Sequence, residues 1–130
     1  LDDVVISAEG YFWVLQNETE ILRTKGVSTD FTHVASSDVL KVTSGDHILR
    51  CLAAIQHQVA AGARSGDIFL FATSSTDSSS FKLTSAQIIA LCEGPRGLLL
   101  AGTNDGKLIA QNIRNQQDRQ ILNPDRNHRH

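Results

Sequence analysis

The sequence predicts an all-β fold built from repeated units of four short strands. Three observations lead to this prediction. Two segments recur at a spacing of about forty residues, which is typical of repeat architectures. Apolar runs of four to seven residues are separated by turn-forming residues, as expected for strands that are buried on both faces. No stretch of ten or more residues has the apolar spacing of an amphipathic helix.

The repeat consists of two pairs of matching segments. Residues 41–51 (KVTSGDHILRC) lie 41 residues before residues 82–92 (KLTSAQIIALC). Residues 61–68 (AGARSGDI) lie 40 residues before residues 101–108 (AGTNDGKL). The difference of one residue falls between the matching segments, where a turn tolerates a change in length. We therefore expect two copies of the same unit.

Each copy is predicted to contain three strands joined by tight turns, with a fourth, outer strand after them. The turn signals are Ser65-Gly66 in the first copy and residues 94–97 (GPRG) and 104–106 (NDG) in the second. A polar loop at 74–80 precedes the outer strand of the first copy. The predicted strands are 48–55, 59–63, 68–73 and 81–84 in the first copy, and 87–92, 98–103, 108–113 and 118–122 in the second.

The opening segment is interpreted as a weaker third copy. Residues 4–8 and 11–15 are predicted to be a second and a third strand, joined by a turn at Glu9-Gly10. This turn precedes Ser65-Gly66 by 56 residues rather than 40, so about 16 additional residues are expected between Thr24 and Asp38. On this interpretation the first unit is a remnant that lacks its inner strand.

The pattern within each copy resembles the WD-repeat family of β-propellers. In that family the second strand commonly ends in Ala-Ser-Gly, an Asp-Gly turn follows, and the third strand closes in Trp-Asp. Residues 99–109 (LLAGTNDGKLI) and 60–71 (AAGARSGDIFLF) are similar to this pattern, and Gly45-Asp46-His47 partly matches the family's Gly-His pair. The closing Trp-Asp is absent, because Phe71-Ala72 and Gln111-Asn112 stand in those places.

The resemblance covers residues 3–122 and implies β-propeller blades, each a four-stranded antiparallel sheet. A partial propeller is expected over residues 1–122, followed by a polar tail at 123–130. Its parts would be a blade remnant at 3–24, an insertion at about 25–38 and blades at 39–73 and 79–122. Propellers typically contain about 4–8 blades, so roughly 2.5–3 blades predict an incomplete ring. Its own copies, a partner or a longer parent chain would have to complete it.

The function that follows from this fold is a non-enzymatic protein-interaction or scaffold module, bound at its open blade edges by a protein partner or by its own copies. The alternative is a small, oligomeric, lectin-like propeller that binds carbohydrate. Residues at the predicted rim turns are the candidates for partner binding: Asp46, Arg64, Arg96 and Asn104.

Four residues are assigned structural roles. WD repeats link a histidine, a hydroxyl side chain, the turn aspartate and the tryptophan in one network, and the resemblance implies that His47 and Asp105 are fragments of it. Phe71 and Trp13 are expected to pack between blades, because large aromatic side chains contribute most to such packing.

Composition excludes several other classes of function. The formal net charge of −2 argues against binding to nucleic acid or to an anionic membrane surface. The histidines, cysteines and carboxylates are not spaced as in a zinc motif or a catalytic site, so we expect neither a cofactor nor a metal nor enzymatic activity. Cys51 and Cys92 are expected at equivalent positions on adjacent inner strands, buried, reduced and unbonded. Reduced thiols favour an intracellular location, cytoplasmic or nuclear.

Overall fold

Three antiparallel sheets of four strands each make up the described part of the chain. The structure is a computed structural model, and it describes residues 3–7, 11–16, 18–25, 37–41, 48–72 and 78–122. Sheet I contains β1 (Asp3–Ile6), β2 (Tyr11–Gln16), β3 (Glu20–Lys25) and β4 (Ser37–Lys41). Sheet II contains β5 (Leu49–Ile55), β6 (Gln58–Ala63), β7 (Asp67–Ala72) and β8 (Ser78–Lys82). Sheet III contains β9 (Ile88–Glu93), β10 (Leu98–Thr103), β11 (Leu108–Asn112) and β12 (Arg119–Leu122).

The sheets are stacked so that their first strands lie next to one another. Within each sheet the strands follow chain order, so each strand pairs with the next one along the chain. Strand β5 contacts β1 of sheet I and β9 of sheet III. The first strand of each sheet is therefore its inner strand, and the fourth is its outer strand. Sheet II is covered on both faces, and β6 accordingly has five consecutive buried residues.

Two apolar clusters fill the spaces between the sheets. The cluster between sheets I and II contains Trp13 and Phe71, whose ring centroids lie 6.2 Å apart, so the two predicted packing residues meet at this junction. The cluster between sheets II and III contains Ile68, Leu99 and Ile109. Full burial of one such side chain contributes about 1.5–3 kcal/mol. Packing between sheets is thus a principal source of stability.

Side-chain size increases outward on the face of sheet II that meets sheet III. The two inner strands present mainly small residues there, and the two outer strands present large ones. Because packed protein interiors leave few voids, small side chains allow a close approach and large ones hold the sheets apart. From β5 outward, the residues are Cys51, Ala53 and Ile55, then Ala60 and Gly62, then Ile68 and Leu70, and finally Phe81.

The predicted Ser65-Gly66 turn connects two sheets as well as two strands. The carbonyl oxygen of Gly66 accepts hydrogen bonds from the backbone N–H groups of Leu83 (2.9 Å) and Thr84 (3.2 Å) in the connection that leads to sheet III. Gly66 has φ +90°, and a Cβ atom there would lie 1.9 Å from the carbonyl oxygen of Thr84. Only glycine fits both the backbone conformation and the space.

The assignment of the opening segment as a remnant without an inner strand is wrong. Residues 3–41 contain four paired strands, and β1 is itself the inner strand that packs against β5. The connection between β1 and β2 therefore joins the first and second strands, not the second and third. The error arose because Glu9-Gly10 was aligned with Ser65-Gly66, which joins the second and third strands of its sheet. Contacts with the neighbouring sheet, which are tertiary, decide which strand is inner.

The predicted insertion is shorter than expected. Eleven residues, 26–36, separate β3 from β4, and five residues, 73–77, separate the equivalent strands β7 and β8. The difference is six residues rather than about 16, because the larger value rested on the incorrect alignment of Glu9-Gly10. Residues 26–36 lie outside the described part of the chain.

The sequence repeat does not coincide with one sheet. Strand β8 begins at Ser78 rather than at residue 81, because Ser78–Ser80 pair with β7 although they are polar and exposed. This strand opens the predicted blade 79–122, yet it is the outer strand of sheet II. Each sequence repeat therefore supplies the outer strand of one sheet and the first three strands of the next.

The two cysteines do not occupy equivalent positions, and this prediction is also wrong. Cys51 pairs with Gly62, whereas the residue that pairs with the corresponding Gly102 is Ala90. The inner strands β5 and β9 are thus related by 39 residues rather than 41, and both have a register shift at the same place. Cys51 is buried, Cys92 is exposed, and both thiols are free.

Candidate functional site

The turns of sheets II and III lie at two ends of the strands. The Arg64 end contains the β6–β7 and β10–β11 turns, and the Arg96 end contains the β5–β6 and β9–β10 turns. Successive turns of an antiparallel sheet lie at opposite ends. Arg64 and Asn104 therefore share one end, and Arg96 lies at the other. Asp46 and His47 lie outside the described residues.

Arg64 and Asn104 occupy equivalent positions on adjacent sheets. The backbone N–H of Arg64 donates to the carbonyl of Ile48 at 2.7 Å, and that of Asn104 donates to the carbonyl of Gln87 at 3.0 Å. Each bond ties the second turn of a sheet to the residue just before its inner strand. Both side chains are exposed. The Arg64 end thus presents polar side chains on a backbone that is fixed by hydrogen bonds.

Asp105 has its hydrogen-bond and ionic contacts within its own turn. Its carboxylate accepts a hydrogen bond from the hydroxyl of Thr103, and the ammonium group of Lys107 lies 3.7 Å away. The Thr103 hydrogen bond is the main cause that lowers the pKa of this carboxyl group, with a smaller contribution from Lys107. His57 lies in the β5–β6 turn at the other end of the strands. Asp105 therefore stabilises its own turn.

The Arg96 end contains two non-glycine residues in the left-handed conformation. Arg96 has φ +59° in a short 3₁₀ turn, and Gln56 has φ +54° in the corresponding turn of sheet II. The two turns are in contact, since a Cβ on Gly97 would lie 2.2 Å from Nε2 of Gln56. The backbone N–H of Gln56 also donates to Oε2 of Glu93 at 3.3 Å. The neighbouring sheets are therefore linked at this end.

A cavity of about 350 Å³ opens beside Arg96 on the surface of sheet III. Its lining combines a guanidinium group, a carboxylate and amides with apolar side chains. Asp118 and Asn112 are already hydrogen-bonded to each other, with Nδ2 of Asn112 lying 3.2 Å from Oδ2 of Asp118. Such a lining can bind polar groups. The lining residues are Arg96, Leu98, Ala110, Asn112, Asp118 and Gln120.

The described residues contain no group of three His, Cys, Asp or Glu side chains that could bind a metal ion. Two hydroxyl–carboxylate pairs occur, Ser65 with Asp67 at 2.6 Å and Thr103 with Asp105, but both lie within turns. An activated nucleophile needs a base held by a third group. In the described ranges no helix is long and apolar enough to cross a membrane.

The outward face of sheet III is a large apolar surface that sequence reasoning missed. We call this surface the open face of sheet III. Ala90, Cys92 and Leu122 on it are exposed, Leu122 to 50% of its area, and its other apolar residues are partly exposed. The polar Asn112 and Gln120 share this face. Its apolar residues are Ala90, Cys92, Leu100, Gly102, Leu108, Ala110 and Leu122.

The open face of sheet III matches, position by position, the face of sheet II that packs against sheet III. Strand pairing defines the match: Gly62 pairs with Ile68 in sheet II, and Gly102 pairs with Leu108 in sheet III. All seven sheet II residues are buried by the next sheet. Cys51 corresponds to Ala90, Ala53 to Cys92, Ala60 to Leu100 and Gly62 to Gly102. Ile68 corresponds to Leu108, Leu70 to Ala110, and Phe81 to Leu122.

The two glycines show most clearly what is different between these faces. A Cβ on Gly62 would lie 2.6 Å from Cγ2 of Ile88, so this glycine receives a side chain of sheet III. A Cβ on Gly102 would meet only Cβ of Ala90, in its own sheet, at 3.7 Å. Gly102 is thus an unfilled position for an apolar side chain.

Sheet I has a corresponding apolar surface on the side away from sheet II. We call it the open face of sheet I. Val4 and Ile6 on its inner strand are 51% and 60% exposed. Alternation along the strands places the buried Trp13 and Leu15 on the other side, toward sheet II. The open face comprises Val4, Ile6, Phe12, Val14 and Leu22.

Known proteins resemble this chain in structure but not in sequence. No protein-family model matches the chain, and no curated protein matches it. A chain of the structure "Crystal Structure of Mitotic Checkpoint Complex" superposes with a TM-score of 0.76 at 15% identity over 95% of this chain. A catalytically inactive virginiamycin B lyase from Staphylococcus aureus, solved with quinupristin, gives 0.74 at 12% identity over 92%. Hsv2 of Kluyveromyces lactis gives 0.65 at 17% identity over 87%.

This chain spans 36–40% of the length of those solved chains. They are β-propellers, and their likeness to the chain extends over all three sheets. Stacked four-stranded antiparallel sheets with adjacent inner strands are the blades of that fold. The described residues form no closed ring. The chain therefore has the β-propeller fold, as an incomplete ring of three blades.

Proposed function

We propose that this chain is a non-enzymatic protein-interaction module of the WD-repeat type, in which further blades cover the open faces of sheets I and III. One observation carries this proposal: the open face of sheet III presents apolar residues at the same strand positions as the face by which sheet II binds its neighbour. Extensive exposed apolar surface marks an interaction site in a folded protein.

The exposed turns are the proposed sites for a protein partner. Arg64 and Asn104 lie side by side on adjacent blades, and Arg96 borders the cavity at the other end. Arginine is enriched among the residues that dominate binding energy at protein interfaces. Asp46 lies outside the described residues, and it is proposed as a partner-binding residue from its place in the sequence alone.

The chemistry of the turns favours binding over catalysis. One of the similar structures is an enzyme, so the fold by itself is compatible with either class. The carboxylate of Asp105 has a lowered pKa because it accepts the Thr103 hydrogen bond, which makes it a weak base. The exposed free thiol of Cys92 suits a reducing compartment, and we place the protein inside the cell on that ground.

The experiment measures whether the open faces need an occupant. Binding of the dye ANS, thermal melting and sedimentation velocity would be recorded for the chain, for Leu100→Asp on the open face of sheet III, and for Ser80→Asp as the control. Ser80 is exposed on the outer strand of sheet II and lies outside both open faces. The native chain should bind the dye when dilute and associate when concentrated.

Leu100→Asp should reduce both dye binding and association, because a charge on the open face of sheet III opposes apolar contact. Ser80→Asp should change neither. A native chain that remains a folded monomer at all concentrations, melts cooperatively and binds no dye would contradict the proposal.

A further inference from the structure

We infer that the occupant of each open face is a second copy of this chain, with the open face of sheet III packed on the open face of sheet I of the other copy. Two copies would then form one ring of six blades. This inference rests on the proposed function, because it names what covers the two faces. Four observations support it.

Sheets I and III share a fixed reference point at their first turns. In sheet I the N–H of Ser7 donates to the carbonyl of Tyr11 at 2.9 Å. In sheet III the N–H of Gly94 donates to the carbonyl of Leu98 at 2.7 Å. Each bond encloses three residues. Ser7 is thus equivalent to Gly94, and Tyr11 to Leu98.

Counting along the strands from this reference point shows what the open face of sheet I resembles. Phe12 takes the place of Leu99, Val14 that of Ala101, and Leu22 that of Ile109. In sheet III these three residues are buried against sheet II. The open face of sheet I therefore has the side chains of a face that docks on the preceding blade.

The open face of sheet I and the face of sheet III that packs on sheet II also have a polar residue at the same position. Thr24 pairs with Phe12, and Gln111 pairs with Leu99, so the two polar residues are equivalent. Both are buried, although both are polar. Each has a hydrogen bond within its own sheet: Thr24 donates to the carbonyl of Phe12, and Gln111 donates to that of Asn112. A buried polar residue satisfied within its own sheet leaves the contact face to apolar groups.

The receiving side is the open face of sheet III, which corresponds to the receiving face of sheet II. Gly102 is the unfilled equivalent of Gly62, and Leu108 stands where Ile68 does. Packing the open face of sheet I on it would reproduce the contact between sheets III and II. The two open faces are therefore complementary to each other, so a second copy of this chain offers each face a matching surface.

The number of blades limits the possible assemblies. Propellers typically contain about 4–8 blades. The described residues of one copy form three sheets, and those of two copies form six, which lies within the range. Three copies would exceed it. A head-to-tail contact that occurs twice closes on itself, so both open faces of both copies would be covered.

Complementation between two variants tests this arrangement. Leu100→Asp alters only the open face of sheet III, and Val14→Asp alters only that of sheet I. Either variant alone would carry a charge in both contacts of the ring and should sediment as a monomer. An equimolar mixture can form a ring with one native contact, so dimers should return. Ser80→Asp serves as the control and should dimerise like the native chain.

A second measurement needs no substitution. Cys92 lies on the open face of sheet III and Cys51 is buried within one copy. Alkylation of Cys92 should become about tenfold slower as the chain is concentrated from below to well above the dissociation constant, because only dissociated copies expose this thiol. The rate at Cys51 serves as the internal reference for unfolding, and native mass spectrometry should give twice the 14.2 kDa of the chain.

The possible failures are distinct. Assemblies that grow without limit would overturn the six-blade ring. A dimer that Leu100→Asp abolishes and Val14→Asp leaves intact would overturn it as well. In both cases the proposal that the open faces bind a partner would stand. A folded monomer whose Cys92 reacts at the same rate at every concentration would overturn both this inference and the proposed function. Circular dichroism and the fluorescence of Trp13 would show that each variant is folded.

Discussion

Gly66 joins two blades through its carbonyl oxygen, and its own backbone is in a conformation that other residues adopt at a cost. We expect Gly66→Ala to lower the free energy of unfolding by more than about 2 kcal/mol, since it adds both a backbone penalty and a clash with the Thr84 carbonyl. Gly102→Ala is the matched control when both variants are unfolded at dilutions at which the chain is monomeric, because within one copy a Cβ there makes only an ordinary contact. Urea unfolding of both variants checks this, and equal losses would contradict it.

Arg96 is the reverse case, a residue with a side chain where glycine would be favoured. Its φ of +59° is costly for L-residues. We expect Arg96→Gly to be more stable than Arg96→Ala by about 0.5–1 kcal/mol, because both lose the side chain and only the glycine relieves the backbone. The comparison of their melting temperatures checks this. If the alanine variant is the more stable one, the turn has another conformation.

Cys51 makes the stability of the protein depend on pH in the alkaline range. Burial, followed by the nearby charge of Asp3, raises the pKa of this thiol from 9.0 to about 12. Between these values the unfolded chain loses the proton and the folded chain retains it. The free energy of unfolding should therefore fall as the pH rises through this window, by up to about 1.4 kcal/mol per unit.

The variant Cys51→Ala isolates the thiol from other groups that titrate at high pH. Its free energy of unfolding, measured in urea at pH 8 and above pH 10, should decline less than that of the native chain. Parallel declines would mean that the thiol ionises alike in both states.

Strand β12 is held in place by a contact that crosses to sheet II. Arg119 donates from Nη1 to the carbonyl of Leu83 at 2.9 Å and from Nε to Oε1 of the buried Gln111. We expect Arg119→Ala to cost about 1.5–3 kcal/mol, because hydrogen bonds from a charged group are lost and a buried amide oxygen is left without this donor. Hydrogen exchange at residues 119–122 should accelerate.

Arg114→Ala is the control for this strand, because Arg114 is exposed in the loop that precedes it. It should leave both stability and exchange almost unchanged, as is usual for surface substitutions. Equal acceleration of exchange in the two variants would show that the strand is held by its pairing with β11 alone.

Strands and turns could be predicted where neighbouring residues in the sequence determine the backbone conformation. Strand β10 has the predicted bounds, and Gly106 ends the β10–β11 turn with φ +86°, as the Asn-Asp-Gly signal indicates. The role of β1 could not be predicted, because it depends on contact with β5. The start of β8 could not either, since pairing with β7 overrides the low strand preference of three serines.

The candidate site could be predicted only in part, because the open faces are formed by several strands of one sheet. Arg64 and Arg96 could be placed in turns from their neighbours in sequence, and both are exposed there. The open faces could not be found this way, because an apolar strand has the same pattern whether or not another sheet covers it. Strand register shows that Gly102 corresponds to Gly62, and among the described residues a Cβ on Gly102 would meet Ala90 of its own sheet.

At the scale of the whole molecule, the described strands of each sheet mainly contact the neighbouring sheets in the stack. The described parts of sheets I and III are joined mainly through sheet II. Stability in such arrays is roughly a sum over units and their interfaces. We expect Leu99→Ala, which creates a cavity between sheets II and III, to reduce exchange protection in β9–β12 more than in β1–β3.

Leu15→Ala provides the mirror-image control, since Leu15 is fully buried between sheets I and II. It should affect β1–β3 more than β9–β12, and it should shift the fluorescence of Trp13 in the same cluster. Uniform loss of protection throughout the chain in both variants would mean that the three sheets unfold as one unit.

The outward increase in side-chain size on sheet II has a geometrical consequence for assembly. Small residues near β5 and a phenylalanine at β8 make the space between two blades a wedge, and the wedge angle fixes how many blades complete a full turn. Enlarging Ala53 or Ala60 would open the inner side and bring neighbouring blades closer to parallel. In the proposed ring, the same head-to-tail contact would then no longer close, and the copies would continue as a helical filament.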